Sequence, residues 1–550
     1  MKKVSGKKAN LIFGLAMGIL LFLQLLCLFY YGSRKAGFHE DELYTYYSTN
    51  KTAGLFVNDR QWMDRDELRN DFVVLPGEQF RYGVVKLMQS WDVHPPVYYY
   101  IFHTVCSLFP GVFSKWLGIS VNLIAYIGSY LLLAYGVYLT VNQENEGAKK
   151  DKWGKILAFL TCFSWGFSAA VISGVMFIRM YQWFTLFILL CTDLHLRAVA
   201  KGDFRIRSFF LPLGITVFLG FLTQYYYLIF HFFLGAGFCF LLLKNKKRKE
   251  LLSYILTCAL GLGLAICYYP ASLSHIFRGY RGTEAVSEFS DASNTWGRLR
   301  FFSGLFDDYV MNGTLSLWLL VICMAGVTTL YLRKRKKEKP GGFNAALGLL
   351  LFTCAGYFFT ISKTALLLGE TSNRYQLPIY GILLFLILYG LWMSVLELLR
   401  QWGKGKADGS KGAVCALTAA IILAVAVMNG AALKNEKVFF LYEEEKEIME
   451  FVEAHKQEPV VVFYNDASSD HVWWLSDELM KYPRVYLASQ GNPEPVTDKT
   501  ITESKRLLVY VADYDGKEEE CLKGLLEGNS SLSTYEVVAQ KGLWTLYEME

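Results

Sequence analysis

The sequence of 550 residues is 53% hydrophobic and 16% aromatic, and only 19% of its residues are charged. Soluble proteins carry roughly 25% charged residues, so the composition argues against a soluble protein. The net charge of +6 is unevenly distributed, because residues 436–550 contain 11 basic and 24 acidic residues while the preceding part carries a net charge of +19. A basic, apolar module followed by an acidic one makes a nucleic-acid partner unlikely, so none is expected.

The N-terminal element is predicted to be a membrane span. Residues 1–8 contain four lysines, and residues 10–31 form an apolar run that ends in aromatic residues. A signal peptide would have a shorter apolar core and a small-x-small cleavage site. About 20 apolar residues suffice to cross a hydrocarbon layer of ~30 Å. We therefore expect a span that starts in the cytoplasm.

The polar segment at residues 32–115 is predicted to be the first outer loop. Within it, residues 95–108 are apolar but too short to cross the membrane. Proline is favoured in the first turn of a helix, and two prolines open this stretch. We expect a helix that lies in the membrane interface.

Ten further apolar runs follow, which gives eleven predicted spans. Since one helix over residues 209–243 would be ~50 Å long at 1.5 Å per residue, this run is divided in two. The predicted spans are residues 10–31, 116–141, 156–175, 177–194, 209–223, 226–243, 251–269, 314–332, 343–361, 378–398 and 413–432.

The distribution of basic residues predicts the orientation of the chain. The N-terminus and alternate short loops together carry 27 lysines and arginines. Short loops rich in lysine and arginine stay in the cytoplasm. We therefore expect a multi-pass protein of the plasma membrane, with a cytoplasmic N-terminus and with residues 436–550 outside.

Residues 436–550 are predicted to form a small α/β domain after a membrane module of residues 1–435. Short β-like runs at residues 460–464, 484–487 and 507–512 alternate with helical patterns at residues 472–481 and 517–527. A hairpin-like stretch, residues 535–546, ends the chain. Alternating strands and helices are typical of an α/β domain. Because a glycine-rich phosphate loop is absent, we interpret this domain as a binding or docking module.

Polar side chains that could carry chemistry lie at the outer ends of the predicted spans or in outer loops. Charged groups next to a membrane are costly, so by default they indicate a functional site. The candidates are Asp41, Glu42, His94, Arg179, Tyr181, Tyr225, Arg278, Arg281, Lys363, Arg374 and Tyr375.

Each candidate also has a purely structural interpretation. His94 precedes two prolines that fix a helix start, and its imidazole could hydrogen-bond a base or a phosphate. A divalent metal held by His94 and Asp41 stays open, although no ligand set has regular spacing. Arg374 suits a phosphate through its fork of donors, or it is an interfacial anchor. Arg179 could likewise be a helix-end anchor, and Tyr225 could belong to an aromatic belt at the membrane surface.

The motifs Asp41-Glu42 and Asp92-Val93-His94-Pro95-Pro96 resemble those of the protein O-mannosyltransferase family. They are also similar to those of the related lipid A aminoarabinose transferases, and both families belong to the GT-C superfamily. The similarity covers residues 10–240 and continues more weakly through Arg374-Tyr375. It implies a polytopic GT-C-like helical fold, a polyprenyl-phosphate sugar donor and a catalytic carboxylate at Asp41. The lipid A enzymes have lysine where His94 stands, so their phosphate contact is not carried over.

The combined expectation is an inverting glycosyltransferase, similar to hexosyl- or mannosyltransferases, that acts on the outer face of the membrane. Asp41 and Glu42 would point ~100° apart on a helix, so they need not share one site. One carboxylate suffices because a phosphate leaves as an anion, whereas glycoside hydrolysis usually uses two facing carboxylates. A membrane lipid is an expected partner, and the acceptor is left open among a protein, a lipid and a wall polymer. A lipid or polysaccharide transporter, which would carry charges at mid-span, and a non-catalytic scaffold are the alternatives.

Overall fold

The computed structural model describes residues 2–51, 57–142, 147–337, 344–402, 409–513 and 516–550. Residues 2–201 contain α1 (Lys2–Arg34), α2 (Glu40–Asn50), β1 (Gln61–Asp64), α3 (Arg65–Asn70), α4 (Tyr82–Trp91), α5 (Val97–Leu108), α6 (Lys115–Val141), α7 (Gly147–Gly166), α8 (Ala169–Met176) and α9 (Tyr181–Lys201). The predicted interfacial helix corresponds to α5, which begins directly after the second of the two prolines.

The described part of residues 202–434 contains helices joined by turns and loops, and no strand. It contains a π-helical turn (Ile206–Phe210), α10 (Leu211–Phe221), α11 (Tyr227–Lys244), α12 (Arg248–Tyr268), α13 (Ala271–Phe277), α14 (Tyr280–Ser290), α15 (Thr295–Val310), α16 (Leu315–Lys336), α17 (Ala345–Thr364), a 3-10 turn (Gly369–Tyr375), α18 (Leu377–Trp402) and α19 (Gly409–Lys434).

The C-terminal part alternates helices and strands. It contains α20 (Glu445–Ala454), β2 (Val460–Tyr464), a 3-10 helix (Asp466–Leu475), α21 (Ser476–Leu479), β3 (Arg484–Ser489), α22 (Lys499–Thr502), β4 (Leu507–Ala512), α23 (Glu518–Gly528), β5 (Tyr535–Lys541) and β6 (Trp544–Met549). The predicted helix at residues 472–481 corresponds to the end of the 3-10 helix followed by the single turn of α21.

Nine helices of the described chain are long and apolar enough to cross a membrane, namely α1 from Ala9, α6, α9, α11, α12, α16, α17, α18 and α19. Helices α7 and α8 give a tenth crossing if taken as one span, and they are bent by 60° at their junction. The predicted span at residues 209–223 coincides with the shorter apolar helix Ile206–Phe221. Each of the eleven predicted spans therefore contains a helix of the structure, although residues 167–168 within one span and residues 177–180 at the start of another are not helical. The first residue of the span at 343–361 lies outside the described part. Large side chains such as Leu260 (64% exposed) and Val327 (67% exposed) lie on these surfaces, as a lipid environment allows.

The C-terminal strands form one sheet in the order β1-β3-β2-β4-β6-β5. Strand β2 pairs in parallel with β3 and β4, whereas the other pairs are antiparallel. Side chains of β2 alternate between two cores, because Val462 packs with the membrane module while Val461 packs in a separate cluster with Leu522. Strands β2, β4 and β6 are thus buried on both faces of the sheet, whereas the edge strand β5 is largely exposed.

One strand of this sheet comes from the polar segment at residues 32–115. In β1, Trp62 lies opposite Tyr486 of β3, and the Trp62 indole N–H donates to Asp498 Oδ2 at 2.9 Å. Arg65 Nε donates to the carbonyl of Tyr482 at 3.0 Å. The sheet therefore draws on residues from both sides of the boundary at residue 435, and the division into two domains stays a prediction.

Candidate active site

Helix α2 begins with a capping box that fixes its first turn. The backbone N–H of Asp41 donates to His39 Nδ1 at 3.0 Å, and the backbone N–H of His39 donates to Glu42 Oε2 at 2.7 Å. Such reciprocal bonds satisfy N–H groups that a helix start leaves without partners. The second carboxylate oxygen of Glu42 accepts from the backbone N–H of Ile178 at 2.7 Å, and Lys35 Nζ lies 2.8 Å from Glu42 Oε2. Glu42 is fully buried among these donors, so its carboxylate fixes the start of α2. The Asp41 side chain makes none of these contacts.

Asp41 lies between two arginines that come from distant parts of the chain. Its Oδ2 atom is 3.1 Å from Arg374 Nη1, and its Oδ1 atom is 3.8 Å from Arg179 Nη2. The side chain is still 29% exposed. Burial raises the pKa of Asp41, but the charges of Arg179 and Arg374 outweigh burial and hold the pKa well below its usual range. Asp41 is therefore ionised at neutral pH.

Arg374 is a buried cation enclosed by aromatic rings. It belongs to the 3-10 turn Gly369–Tyr375, and its guanidinium carbon lies 5.2 Å from the ring centre of Phe177, 5.8 Å from Tyr181 and 5.3 Å from Tyr375. Aromatic faces stabilise a cation at such distances. Its Nε atom has no hydrogen-bond partner among the described residues. The site thus contains a rigidly held positive charge with unused donor capacity.

Arg179 joins Asp41 to His94. Its Nη1 atom donates to the Asp41 carbonyl at 3.1 Å and to Thr45 Oγ1 at 3.0 Å, and its Nη2 atom lies 3.0 Å from His94 Nε2. A guanidinium can only donate, so Nε2 of His94 accepts and Nδ1 carries the proton. That proton points to Asp92 Oδ2 at 2.8 Å. Burial raises the pKa of Asp92, but the contacts with His94 and Arg179 outweigh burial. The pKa of Asp92 therefore lies well below its usual range.

The structure therefore brings together six of the predicted site residues. Asp41, His94 and Arg179 form one hydrogen-bonded chain, and the ring of Tyr181 packs edge-on against Tyr375 at 5.8 Å on the side of Arg374. Arg179 is 4% exposed, which differs from a helix-end anchor in solvent. It lies in the non-helical break between α8 and α9, where the sequence predicted the start of a span.

The other predicted residues make their contacts elsewhere. The hydroxyl of Tyr225 bonds to Nδ1 of His275 at 2.9 Å. Lys363 is buried and donates to the side-chain oxygen of Asn294. Arg281 Nη1 lies 3.6 Å from Glu284 Oε2 at the surface.

Arg278 is exposed beyond the end of α13.

Several residues of the site were not candidates from the sequence. Asp92 stood inside the quoted motif and could have been recognised as a partner of His94. Nothing in the sequence indicated Phe440, whose ring stacks on Phe177 at 4.0 Å and so backs the aromatic wall around Arg374. His39 packs against the same wall, at 5.4 Å from Phe177 and 5.8 Å from Phe440. Burial lowers the pKa of His39 to about 4, so this imidazole is neutral at pH 7.

The described part of the chain contains no set of side chains arranged as metal ligands. No group of three or more histidine, cysteine, aspartate or glutamate side chains there could hold a metal ion. His94 and Asp41, the pair considered from the sequence, are both engaged by Arg179. A requirement for a divalent metal stays an open prediction.

Comparison with known proteins identifies the fold. No family model and no curated protein sequence matches this chain. The crystal structure of ArnT from Cupriavidus metallidurans bound to undecaprenyl phosphate aligns with a TM-score of 0.52 and 11% identity, over 96% of this chain and 97% of ArnT. The apo state of the same protein aligns with a TM-score of 0.43 and 12% identity, over 92% and 96% of the two chains. The alignment with the undecaprenyl-phosphate-bound structure shows that the chain has an ArnT-like polytopic fold with a small C-terminal sheet. The predicted resemblance to the lipid A aminoarabinose transferases is thus confirmed at the level of the fold alone.

Proposed function

We propose that this protein is a membrane glycosyltransferase that moves a sugar from a polyprenyl-phosphate donor to an acceptor hydroxyl. The observation that carries the proposal is Asp41, a partly exposed carboxylate held between the buried arginines Arg179 and Arg374. The fold supports it, because the ArnT structure that aligns over 96% of this chain holds undecaprenyl phosphate.

In the proposed reaction, Asp41 is the general base. The acceptor hydroxyl gives its proton to Asp41 while its oxygen forms a bond to the anomeric carbon of the sugar. The bond between that carbon and the phosphate oxygen breaks, and its electron pair leaves with the polyprenyl phosphate. Attack opposite the leaving group inverts the anomeric centre. A phosphate needs no proton to depart, so one carboxylate is enough.

Arg374 and Arg179 would bind the phosphate. Both are buried, and Nε of each has no hydrogen-bond partner among the described residues. Guanidinium groups bind phosphate oxygens through pairs of donors. Because the negative charge on the phosphate grows as the sugar leaves, fixed cations stabilise the transition state more than the ground state.

The same arginines would couple donor binding to the strength of the base. In the free protein their charges make Asp41 a weak base, since they hold its pKa well below the usual range. A bound phosphate would share these charges, and the pKa of Asp41 would then rise toward its ordinary value of about 3.9. Asp41 would thus become a better proton acceptor only when the donor is in place.

The orientation and acceptor complete the proposal. The basic loops favour an outer active site, where a lipid-linked donor is available and nucleotide sugars are not. The sugar and the acceptor, whether protein, lipid or wall polymer, are to be found by experiment. A non-catalytic scaffold would not need the charge of Asp41, so loss of this charge should affect a transferase and leave a scaffold unchanged.

The test compares envelope glycans and glycoproteins by mass spectrometry in cells that lack the gene. The deletion strain receives the wild type, Asp41→Asn or Glu40→Gln, the last being a matched control because Glu40 is an exposed neighbouring carboxylate. General-base catalysis contributes about 10²- to 10⁴-fold, so Asp41→Asn should lose the modified product while Glu40→Gln restores it. Full restoration by Asp41→Asn at equal protein level would contradict the proposal.

A further inference from the structure

A cavity of about 830 Å³ opens beside the outer ends of two predicted spans, apart from the Asp41 site. Arg34 ends α1 and Lys115 begins α6, and both line the cavity. The facing wall comes from the C-terminal part, through Lys446 of α20 and Lys481. We refer to this space as the inter-span cavity. Its position at the end of two spans puts it at the depth of lipid headgroups.

The cavity contains a positive charge that no carboxylate balances. Five cations and three carboxylates line it: Arg34, Lys35, Lys115, Lys446 and Lys481, with Glu443, Glu450 and Glu453.

Four of these cations have acidic partners. Arg34 is paired with Glu443 and Lys35 with Glu42, while Lys446 and Lys481 lie 3.7 and 3.9 Å from their glutamates.

Lys115 is the exception among the described residues. Its Nζ atom donates to the carbonyl of Ser33 at 3.3 Å and to that of Lys35, and it forms no ion pair in the described part of the chain. Its Nζ atom also lies 6.0 Å from the ring centre of Trp116. A half-buried cation that has carbonyl and ring partners but no carboxylate gains energy from a mobile anion.

The surface below the cavity is apolar and aromatic. Phe29, Tyr30 and Trp116 are 49%, 54% and 37% exposed, and the rings of Phe29 and Trp116 lie 5.9 Å apart. Aromatic residues gather at the level where lipid chains meet headgroups. A cationic cavity above an aromatic, lipid-facing surface matches the two ends of an anionic lipid.

We propose that the inter-span cavity binds the phosphate-bearing headgroup of an anionic membrane lipid, whose acyl chains lie along α1 and α6. Its volume is within the usual range of about 300–1,000 Å³ for small-molecule sites. Basic pockets between membrane helices are typical sites for such headgroups. This site is separate from the donor site, and its test does not depend on glycosyl transfer.

The proposal has a structural consequence for α2. Lys35 at the cavity wall holds Glu42, which in turn caps the helix that carries Asp41. A bound lipid would therefore stabilise the turn between α1 and α2.

The test measures lipid binding to the full-length protein by native mass spectrometry. Phosphatidylglycerol is compared with phosphatidylcholine, for the wild type and for Lys115→Gln. One lysine near a membrane surface contributes about 1 kcal/mol to the binding of anionic lipid, so Lys115→Gln should weaken phosphatidylglycerol binding about five-fold. Lys434→Gln is the matched control, because Lys434 also ends a span at this side of the membrane, is exposed and does not line the cavity.

If Lys115→Gln fails to fold, Lys446→Gln and Lys481→Gln on the facing wall serve instead. Equal binding of the two lipids would overturn the proposal, and so would an equal loss in Lys434→Gln. Inorganic phosphate at millimolar concentration provides a further arm. If phosphate alone is retained at the site and phosphatidylglycerol is not, the cavity takes a free anion and the lipid proposal is wrong.

Discussion

Two buried arginines share one carboxylate at the centre of the site. Asp41 contacts Arg374 directly and Arg179 at a longer distance, while Arg179 also binds His94. Two positive charges, on Arg179 and Arg374, thus face one negative charge, on Asp41. The next carboxylate, Asp92, lies on the far side of His94. An anion that enters beside Asp41 would therefore be attracted by the two arginines.

Arg374→Gln is expected to lower transfer mainly through the donor. The substitution removes a charge that aromatic rings hold in place, so kcat/KM for the lipid-linked sugar should fall about 10²-fold or more. Arg374→Lys should recover only part of it, because an ammonium cannot make the paired donation of a guanidinium. Initial rates at varied donor concentration check this. Arg300→Gln, an exposed arginine on α15, should leave the rates unchanged.

The pH dependence should follow the low pKa of Asp41. A carboxylate with a depressed pKa stays ionised as the pH falls, so kcat/KM of the wild type should show no loss of the base above pH 4, about the ordinary value of an aspartate. In Arg374→Gln the pKa of Asp41 should rise, and the acid limb should move to higher pH. The ion pair also stabilises the fold above the unfolded pKa, and this contribution is lost as the pH falls through the lower folded value. A pH–rate profile with the same acid limb in both proteins would contradict this assignment.

At the scale of elements, the turn between α1 and α2 depends on a fully buried ion pair. Lys35 and Glu42 lie 2.8 Å apart with both side chains 0% exposed, and Lys35 also donates to the carbonyl of Phe440. A buried pair of this kind contributes little net stability, but loss of one partner leaves an uncompensated charge. The start of α2, and with it the position of Asp41, therefore depends on both residues.

Glu42→Gln should destabilise the protein by about 3–5 kcal/mol, because it leaves Lys35 charged and unpaired in the interior. The double variant Lys35→Met/Glu42→Gln should be more stable than Glu42→Gln, since it removes both charges. Thermal unfolding of the purified proteins in one detergent measures the difference. Equal stability of Glu42→Gln and the wild type would show that the pair is not required.

The elements also show what the sequence could and could not predict. The spans were predictable because a run of about 20 apolar residues directly reflects the thickness of a bilayer. Because Asp41 and Glu42 are adjacent, their side chains were predicted to point in different directions on a helix. Only the contacts of Glu42 with Ile178 and Lys35 show which of the two carboxylates is buried. Strand β1 was not predictable, because four residues carry no pattern of their own and depend on β3, some 420 positions later. The break at residues 177–180, which exposes Arg179 to Asp41, contains no proline, and its single charged residue did not show where the helix is interrupted.

At the scale of the whole molecule, a buried charge cluster inside the C-terminal part lies against the turn before α2. Lys541 of β5 lies 2.8 Å from Glu445 of α20, 2.8 Å from Glu478 and 3.4 Å from Asp477. Gly37, before α2, packs directly on the Glu445 carboxylate, where any side chain would collide. The cluster thus joins β5 to α20, and its Glu445 carboxylate contacts the turn that leads to Asp41.

Glu445→Gln should stabilise the protein at high pH. Burial raises the pKa of Glu445 to about 7, although Lys541 lowers it in part. A carboxylate whose folded pKa is raised costs stability as the pH rises from its unfolded pKa through the folded value. The gain in melting temperature should therefore be larger at pH 8 than at pH 6, by about 1 °C if the difference is near 1 kcal/mol, because the entropy of unfolding grows with chain length. Glu447→Gln, an exposed substitution on the same helix, should show no such dependence, and an equal gain at both pH values would contradict the expected titration.

The pairing of β1 with β3 matters for anyone who recombines this protein with a relative. A chimera cut at residue 435 would carry a sheet that lacks its edge strand, while the recipient would keep an orphan segment inside its first loop. A working chimera should therefore also exchange residues 57–65, which requires a second exchanged segment far upstream of residue 435.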